Sequence, residues 1–469
     1  MTGTAVAAPL ALNWVDLVAG TAGRAPSGAP AEPLTGVSID SRTLAAGQVY
    51  FAIHGPRFDG HEFLHDVMAR GAAAAVVHRE AASPEGLPLV RVADTTRALA
   101  DLARYVRRAA SIPVAVVTGS AGKTTTKEMT ASLLAARGSV LKTEGNLNNQ
   151  YGLPLTLLRL DAEHAFAVLE LGMSAPGELR ALSKIAEPDV AVITNVGPAH
   201  LEFFASVDAI AAAKAEVFEG LRPDGIAVLN GDDPRLRRIG ESLGQRVLWF
   251  GRGRGHHVGA LNEQATPFGM RFDLRLESRS VEVALPLVGP HFVMDFLAAA
   301  AVAHALGVSA EAIATAATTL RAVRHRGDVR RLEQGLTLID DCYNSSPDAL
   351  AAALEALSLA GPRRRVAILG DMLELGPQGP DLHQAAGERA ARSAEVLVAV
   401  GPLARGFLDG ARRAGMAETA LVSFPDAEAA EAAALLLEPG DAVLVKGSRG
   451  VHLESVVEAI VARFGEGEG

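Results

Sequence analysis

Residues 114–126, Val-Ala-Val-Val-Thr-Gly-Ser-Ala-Gly-Lys-Thr-Thr-Thr, constrain the fold more than any other stretch of this chain. Val114 to Val117 form a continuous apolar run, the pattern of a strand buried on both faces. Gly119 and Gly122 allow tight backbone turns in which successive N–H groups converge on an anion. Thr124 through Arg137 read as a helix, with Met129, Leu133 and Leu134 on one face and Gly138 as its stop. Strand, glycine loop and helix N-terminus make a phosphate site, with Lys123 as counter-charge and the Thr124 hydroxyl available to Mg²⁺. The common phosphate-loop pattern has a glycine where this chain has Val117, so the loop here is a shortened Gly119-x-x-Gly122-Lys123-Thr124. An ordinary glycine-rich turn would not need a lysine and three threonines, and the stretch predicts nucleoside triphosphate binding.

A chain of 469 residues is too long for one core and calls for several domains. Apolar content of 49% with 21% charged residues belongs to a globular protein rather than a disordered one. A net charge of −10 lacks the basic footprint of nucleic-acid binding, so no nucleic-acid partner is expected. The single cysteine, Cys342, precludes an internal disulfide and fits a reducing cytoplasm. Residues 1–12 are apolar but lack a basic n-region, so no signal peptide is expected. No apolar run is long enough for membrane insertion.

Short strand signals at 49–53 and 74–77 precede the phosphate loop. After it, apolar strands at 166–171, 190–194 and 226–230 alternate with helical segments, which implies parallel βαβ units. Residues 251–280 read as a small antiparallel excursion, followed by alanine-rich helices at 298–306 and 310–320. A basic segment, 321–331, reads as a linker. Beyond it, four strands at 336–340, 366–370, 396–400 and 442–446 predict a Rossmann-like domain without a Gly-x-Gly-x-x-Gly fingerprint.

Ligands of open α/β sheets sit beyond the carboxyl ends of the strands. In the central region those ends supply the phosphate loop, Glu170, Thr194-Asn195 and, shortly after, His200. Mg²⁺ prefers oxygen, which favours Thr124 and Glu170 over the imidazole. In the last region the strand ends carry Asp340-Asp341, Gly370-Asp371 and Lys446-Gly-Ser-Arg449, the last a compact donor set for a carboxylate or phosphate. Lys214, in Ala209-Ile-Ala-Ala-Ala-Lys-Ala-Glu216, reads on pattern alone as a helical surface lysine.

Taken together, Gly119-Ser-Ala-Gly-Lys-Thr-Thr125, Gly145-Asn-Leu-Asn-Asn149, Glu170-Leu-Gly172 and Ala199-His-Leu201 resemble the Mur ligases of peptidoglycan synthesis. Asp341-Cys-Tyr-Asn-Ser-Ser-Pro347, Gly370-Asp-Met-Leu-Glu-Leu-Gly376 with His383, and Lys446-Gly-Ser-Arg449 extend the likeness through the last third, and Ser38-Ile-Asp-Ser-Arg42 with Phe58-Asp-Gly-His61 into the first. The resemblance implies an α/β chain of three domains: a UDP-sugar-binding domain (1–111), a central ATPase domain with a mainly parallel sheet (112–322) and a Rossmann-like domain (323–469).

It also implies a cytoplasmic monomer that uses ATP and Mg²⁺ to join D-alanyl-D-alanine to a UDP-MurNAc-tripeptide through an acyl phosphate. Lys123, His200 and Lys214 would be catalytic, the last as a carbamate, which offers two anionic oxygens where an ammonium offers none. Thr124, Glu170, His200 and Lys214 would serve Mg²⁺. ATP would lie on Gly119, Ser120, Ala121, Gly122, Lys123, Thr124 and Thr125, with Asp295, Arg326 and Asp341. Substrate contacts would come from Ser38, Asp40, Ser41, Arg42, Asp59, Gly60 and His61, from Asn146, Asn148 and Asn149, and from Tyr343, Asn344, Lys446, Ser448 and Arg449.

Two positions depart from the family pattern. Phe292 and Asp295 stand where adenine-binding asparagines are expected, and a carboxylate only accepts hydrogen bonds. The family's Gly-Arg pair also reads as reordered, as Arg326-Gly327-Asp328. The competing readings are another amide ligase of the superfamily, such as folylpolyglutamate synthase, and a regulatory phosphate-loop NTPase. The N-terminal Asp40-Ser-Arg42 region counts against the first, and the lack of a water-positioning switch segment against the second.

Overall fold

A computed structural model describes residues 12–25, 29–30, 33–55, 58–78, 81, 84–199, 201–253, 255–266, 269–360 and 363–467. The chain forms three α/β sheets and divides into two compact units. One unit comprises residues 1–118, 137–191 and 215–227, the other 119–136, 192–214 and 228–469.

In the first unit, strands Gly36–Ser38, Gln48–Phe51, Ala74–His78 and Leu89–Val92 lie side by side, all parallel. Their inward residues, Tyr50, Ala52, Ala75, Val77 and Leu89, meet Leu64 and Val67 of helix Leu64–Ala69. The same unit holds strands Val114–Thr118, His164–Glu170 and Ser139–Lys142, again parallel neighbours. Val114–Thr118 is buried at every position, as its unbroken apolar run requires.

Arg107 fixes where that strand starts. It closes helix Thr95–Ala109 and is 1% exposed. Its guanidinium donates to the carbonyls of Ala186 (2.8 Å), Ile112 (3.1 Å) and Glu187 (3.0 Å), and to Asp189 Oδ2 at 2.9 Å. The first and third carbonyls end helix Glu178–Ala186, so a cation sits at a helix C-terminus, where the backbone dipole favours it. Asp189 Oδ2 also accepts the Val114 N–H at 2.8 Å, tying the helix end to the first residue of the phosphate-loop strand.

The full nine-stranded sheet runs Arg279–Leu285, Gly269–Leu276, Val258–Thr266, Arg246–Arg252, Ile226–Asn230, Val190–Ile193, Val114–Thr118, His164–Glu170, Ser139–Lys142. Its first three members are antiparallel, matching the excursion expected at 251–280. In the second unit, helix Lys123–Ala135 packs on helix Pro290–Ala305, which begins eight residues earlier than the alanine pattern predicts. That earlier start places Phe292 and Asp295 on a helix.

The last sheet has six strands where the sequence pattern predicts four, in the order Asp328–Arg331, Thr337–Asp341, Ala442–Lys446, Arg365–Gly370, Val396–Val400, Leu421–Phe424. Leu421–Phe424 was missed because it is short and only half-buried. Asp328–Arg331 falls inside the expected linker: it is an antiparallel edge strand, and its charges mark the solvent side of that edge. Alternate residues serve two cores. Val366, Ile368, Val398, Val443 and Val445 face helix Glu454–Phe464, while Ala367, Leu369, Leu397, Ala399 and Leu444 face helices Pro347–Ser358, Gly379–Ser393 and Ala404–Arg413. Among the described residues no helix is long and apolar enough to cross a membrane.

Replacing Arg107 by Met keeps the aliphatic volume and strands three carbonyls, so thermal unfolding followed by circular dichroism should show a loss of roughly 3 kcal/mol. A change within about 0.5 kcal/mol would mean that the Arg107 bonds merely replace equivalent bonds to water.

Candidate active site

The phosphate loop owes its shape to close approach as well as to backbone freedom. Gly119 has φ 156° and Gly122 φ 77°. A Cβ on Gly119 would collide with Thr194 Oγ1, and one on Gly122 with Asp295 Oδ1. The loop is laced to residues 194–197: Thr194 Oγ1 donates to the Ala121 carbonyl (2.6 Å), and the Ala121 N–H donates to Asn195 Oδ1 (2.9 Å). The Ser120 N–H donates to the Asn195 carbonyl (3.1 Å), and Ser120 Oγ accepts from the Gly197 N–H (3.0 Å). Gly197 is closed on its other side, where a Cβ would strike Asp348 Oδ2. Thr194 and Asn195 are thus structural members of the loop, signalled in the sequence only as a polar pair at a strand end.

Helix Lys123–Ala135 begins directly after Gly122, whose lack of a side chain leaves the helix without a side-chain N-cap. Its first N–H groups and positive dipole end therefore face the loop, the arrangement that accepts a phosphate. Lys123 Nζ lies over the loop at 2.9 Å from the Gly119 carbonyl.

Glu170 ends its strand in register with Val117 and is 3% exposed. Its Oε1 accepts from Asn148 Nδ2 at 2.9 Å, so Asn148, expected at a substrate, here orients a carboxylate. Asn149 Oδ1 accepts the N–H groups of Tyr151 (3.1 Å) and Gly152 (2.9 Å), while Asn146 is exposed.

Lys214 corrects the sequence pattern. It is 1% exposed in helix Val207–Ala215, not a surface lysine, because that helix is alanine-rich and carries no polar stripe to announce which side is wet. Burial, and secondarily the charge of Lys123, holds its amine well below the usual lysine range. A neutral amine is nucleophilic and able to form a carbamate with CO₂. His200 lies outside the described residues.

Asp295 also departs from expectation. Desolvation pushes its carboxyl up to about 8 against the lowering pull of Thr126, whose Oγ1 is 3.5 Å from Oδ1, and of Arg326. At neutral pH it is a carboxylic acid that both donates and accepts, as the expected amide would. Phe292 is 2% exposed, stacks on His291 with centroids 4.2 Å apart and packs against Gly327, so this position has become core.

Both neighbours of Arg326 are in the left-handed region, Gly327 with φ 69° as a glycine allows. His325 has φ 63°, the left-handed conformation a glycine adopts freely, and Arg326 follows it with its guanidinium 4.1 Å from the Tyr343 ring centre.

The donor set at 446–449 is largely committed. Lys446 Nζ contacts Asp341 Oδ2 (2.6 Å) and the Asn344 carbonyl (3.0 Å). Ser448 Oγ accepts the Leu373 N–H (2.9 Å), and Arg449 pairs with Glu454 near Tyr343. His383, fully buried, donates from Nδ1 to the Gly379 carbonyl (2.6 Å) and accepts the Met372 N–H at Nε2 (3.0 Å), which fixes its tautomer and the loop after Gly370.

In the N-terminal sheet, Arg42 grips Asp40 through two bonds (3.0 and 2.8 Å) and holds its carboxyl near 2. Ser38 Oγ accepts the Asp40 N–H (3.2 Å), and Ser41 is half-buried between them. His61 donates from Nδ1 to Asp59 (2.6 Å) and accepts the His78 N–H (2.9 Å), while a Cβ on Gly60 would press on the Ile53 backbone at 2.8 Å. Arg42, 84% exposed, is the residue of this group that reaches farthest into solvent.

Three family descriptions match the chain: "Mur ligase family, catalytic domain" over residues 33–107, "Mur ligase middle domain" over 117–303 and "Mur ligase, glutamate ligase domain" over 325–449. The UDP-N-acetylmuramoyl-tripeptide–D-alanyl-D-alanine ligase of Escherichia coli is 36% identical over 91% of this chain and 94% of its own. A crystal structure of MurF from Acinetobacter baumannii superposes with a TM-score of 0.89 at 34% identity, covering 97% of this chain and 99% of that one. The MurF ligase of Thermotoga maritima in complex with ADP gives 0.81 at 32% identity, over 90% and 96%.

The raised Asp295 carboxyl has a pH consequence. Its unfolded value is near 3.8 and its folded value about 8, so the folded chain holds the extra proton between them and stability falls as pH rises through that window. Denaturant unfolding should show the protein losing stability from about pH 5 to about pH 8.5 by a margin that Asp295→Asn reduces. Parallel pH profiles for the two proteins would show that Asp295 keeps its ordinary ionisation on folding.

Proposed function

This chain belongs to the Mur ligase family, and from that premise we propose that it joins D-alanyl-D-alanine to a UDP-MurNAc-tripeptide at the cost of ATP. The observation that carries the reading is the phosphate loop, whose two glycines leave no room for side chains and whose helix N-terminus opens onto Lys123. The reaction belongs to the cytoplasm, where ATP and nucleotide-linked precursors meet, and is performed by a monomer. Its domains are residues 1–111 for the UDP-sugar peptide, 112–322 for ATP and 323–469 for closing the site.

The chemistry follows from what a carboxylate lacks. It is a poor acyl donor until an oxygen attacks the γ-phosphorus of ATP, releasing ADP and leaving an acyl phosphate. The amine of D-alanyl-D-alanine has a pKa of about 7.7–8.0, so a neutral fraction is present without a strong base. It attacks the acyl carbon, and the tetrahedral intermediate expels phosphate as the amide forms. No Ser/His/Asp triad is required. Lys123 and the N-terminus of helix Lys123–Ala135, set by the Gly119–Gly122 loop, hold the phosphates and the charge that develops on them. Asp295, Arg326 and Asp341 take the rest of the nucleotide. Ser38, Asp40, Ser41, Arg42, Asp59, Gly60, His61, with Asn146, Asn148 and Asn149, and Tyr343, Asn344, Lys446, Ser448 and Arg449, receive the peptide substrates.

The residues fit Mg²⁺. Thr124 and Glu170 offer oxygens, and Lys214 is a buried amine for which the ammonium form is disfavoured, as a carbamate ligand requires. With His200 they would hold the ion, which when bound supplies positive charge to the transferring phosphoryl group.

Phosphate release with ATP, UDP-MurNAc-tripeptide and D-alanyl-D-alanine tests the assignment. Release should require both substrates and fall by about 10²–10³-fold or more in Lys123→Ala. Release independent of both would convict the chain of simple NTP hydrolysis and sink the ligase reading. Lys214→Ala should be inactive while still binding ATP, and the wild type stripped of CO₂ should regain activity with bicarbonate. Full activity in Lys214→Ala removes that lysine from the reaction.

A further inference from the structure

Three side chains that the ligase reaction does not use meet in the second unit. His325 Nδ1 lies 2.8 Å from Asp340 Oδ2 and 3.5 Å from Cys342 Sγ, and the three donor atoms all fall within 4.8 Å of one another. Asp340 is 1% exposed and Cys342 fully buried, while the His325 side chain keeps 16% of its surface open. Asp340 Oδ1 is buried with no hydrogen-bond partner, an arrangement that costs free energy unless a cation or proton fills it.

The surroundings crowd carboxylates together: Lys446 and Arg326 act on Asp341, and Arg330 and Arg324 on Asp328. Asp328 stands directly across the antiparallel ladder from Asp340, and after burial the Asp340 charge is what raises its carboxyl most. Burial, then Asp340, then Glu454 and Asp341 push the Cys342 thiol far up, so it is protonated and unreactive as it stands. These features exclude a nucleophilic cysteine and describe a hole for a cation.

We propose that His325, Asp340 and Cys342 form a binding site for a borderline-soft divalent cation, Zn²⁺ in the first instance, separate from the Mg²⁺ of the ligase reaction. One imidazole, one carboxylate and one thiolate are the ligand types zinc takes, and a solvent molecule at the open His325 side completes four. With bonds of about 2.0 Å to nitrogen and 2.3 Å to sulfur, tetrahedral zinc sets N and S about 3.5 Å apart, the separation His325 and Cys342 already have. The His325–Asp340 pair opens by about 0.5 Å to admit the ion. On binding, the Cys342 S–H bond breaks as the S–metal bond forms and that proton leaves to solvent, while the single ring proton of His325 moves from Nδ1 to Nε2 so that the Nδ1 lone pair ligates the metal.

The site has a structural rationale. Its ligands alternate along the chain with candidate nucleotide residues: His325 precedes Arg326, and Cys342 lies between Asp341 and Tyr343. It would anchor His325 in a backbone conformation that a non-glycine residue adopts at a cost.

Cys342 is the only cysteine in the chain, which makes the test unambiguous. Full-length protein, stripped with chelator and desalted, is titrated with Co²⁺ alone. The expected result is one equivalent that produces thiolate-to-cobalt charge-transfer absorption, is displaced by Zn²⁺ and survives excess Mg²⁺. The absorption should vanish in Cys342→Ser. Affinity should fall on the order of 100-fold or more in Asp340→Asn and in His325→Gly, the latter supplying the residue that φ 63° suits, so that folding is preserved. Circular dichroism confirms the fold of each variant. Absence of charge-transfer absorption in the wild type overturns the proposal, as does unchanged cobalt affinity in folded His325→Gly.

Discussion

Everything at the phosphate end of this protein depends on how closely two side chains approach two glycines. Thr194 and Asp295 occupy the volume that a Cβ on Gly119 or Gly122 would need. The loop is thereby packed from two sides, and its Ser120 and Ala121 N–H groups are held by Asn195. Asn195 takes the Ala121 N–H, and Gly197 takes Ser120. A glycine loop without that lacing would spend much of a ligand's binding energy on ordering itself. The shortened spacing is no defect: with Val117 inside the strand, the turn is completed by neighbours.

The same packing explains an acid in an amide's place. Asp295 is buried against the loop, and burial favours its neutral form. In that form it presents one donor and one acceptor, so the exchange of an expected asparagine for an aspartate leaves the hydrogen-bonding repertoire nearly intact. Protonation does the work of the missing nitrogen.

Much of this was legible in the amino-acid sequence, for reasons that differ by element. The phosphate-loop strand and the Val396–Val400 and Ala442–Lys446 strands announce themselves because burial on both faces forces unbroken apolar runs. The edge strands Asp328–Arg331 and Leu421–Phe424 do not, since an edge has no such requirement and the first carries three charges in four residues. Glu170 is signalled by its position at a strand end, while the bond it accepts from Asn148 is not, because an orienting bond leaves no spacing signature. Lys214 is the sharpest case. In a helix of alanines any side can be the dry one, and only the packing reveals that an amine has been taken out of water. His325 gives no such signal either: left-handed backbone is expected of glycine, and only the structure shows a histidine in it.

Gly197 carries a consequence of its own. On one side its N–H and carbonyl engage Ser120 of the phosphate loop; on the other the carboxylate of Asp348, in the first turn of helix Pro347–Ser358, rests where a side chain would stand. The glycine is thus a thin spacer between the loop and the helix. A side chain at Gly197 would therefore have to push the Asp348 carboxylate aside while keeping the Ser120 bonds. Glycine at this one position is thus demanded by two elements at once, the loop through Ser120 and the helix after Tyr343 through Asp348.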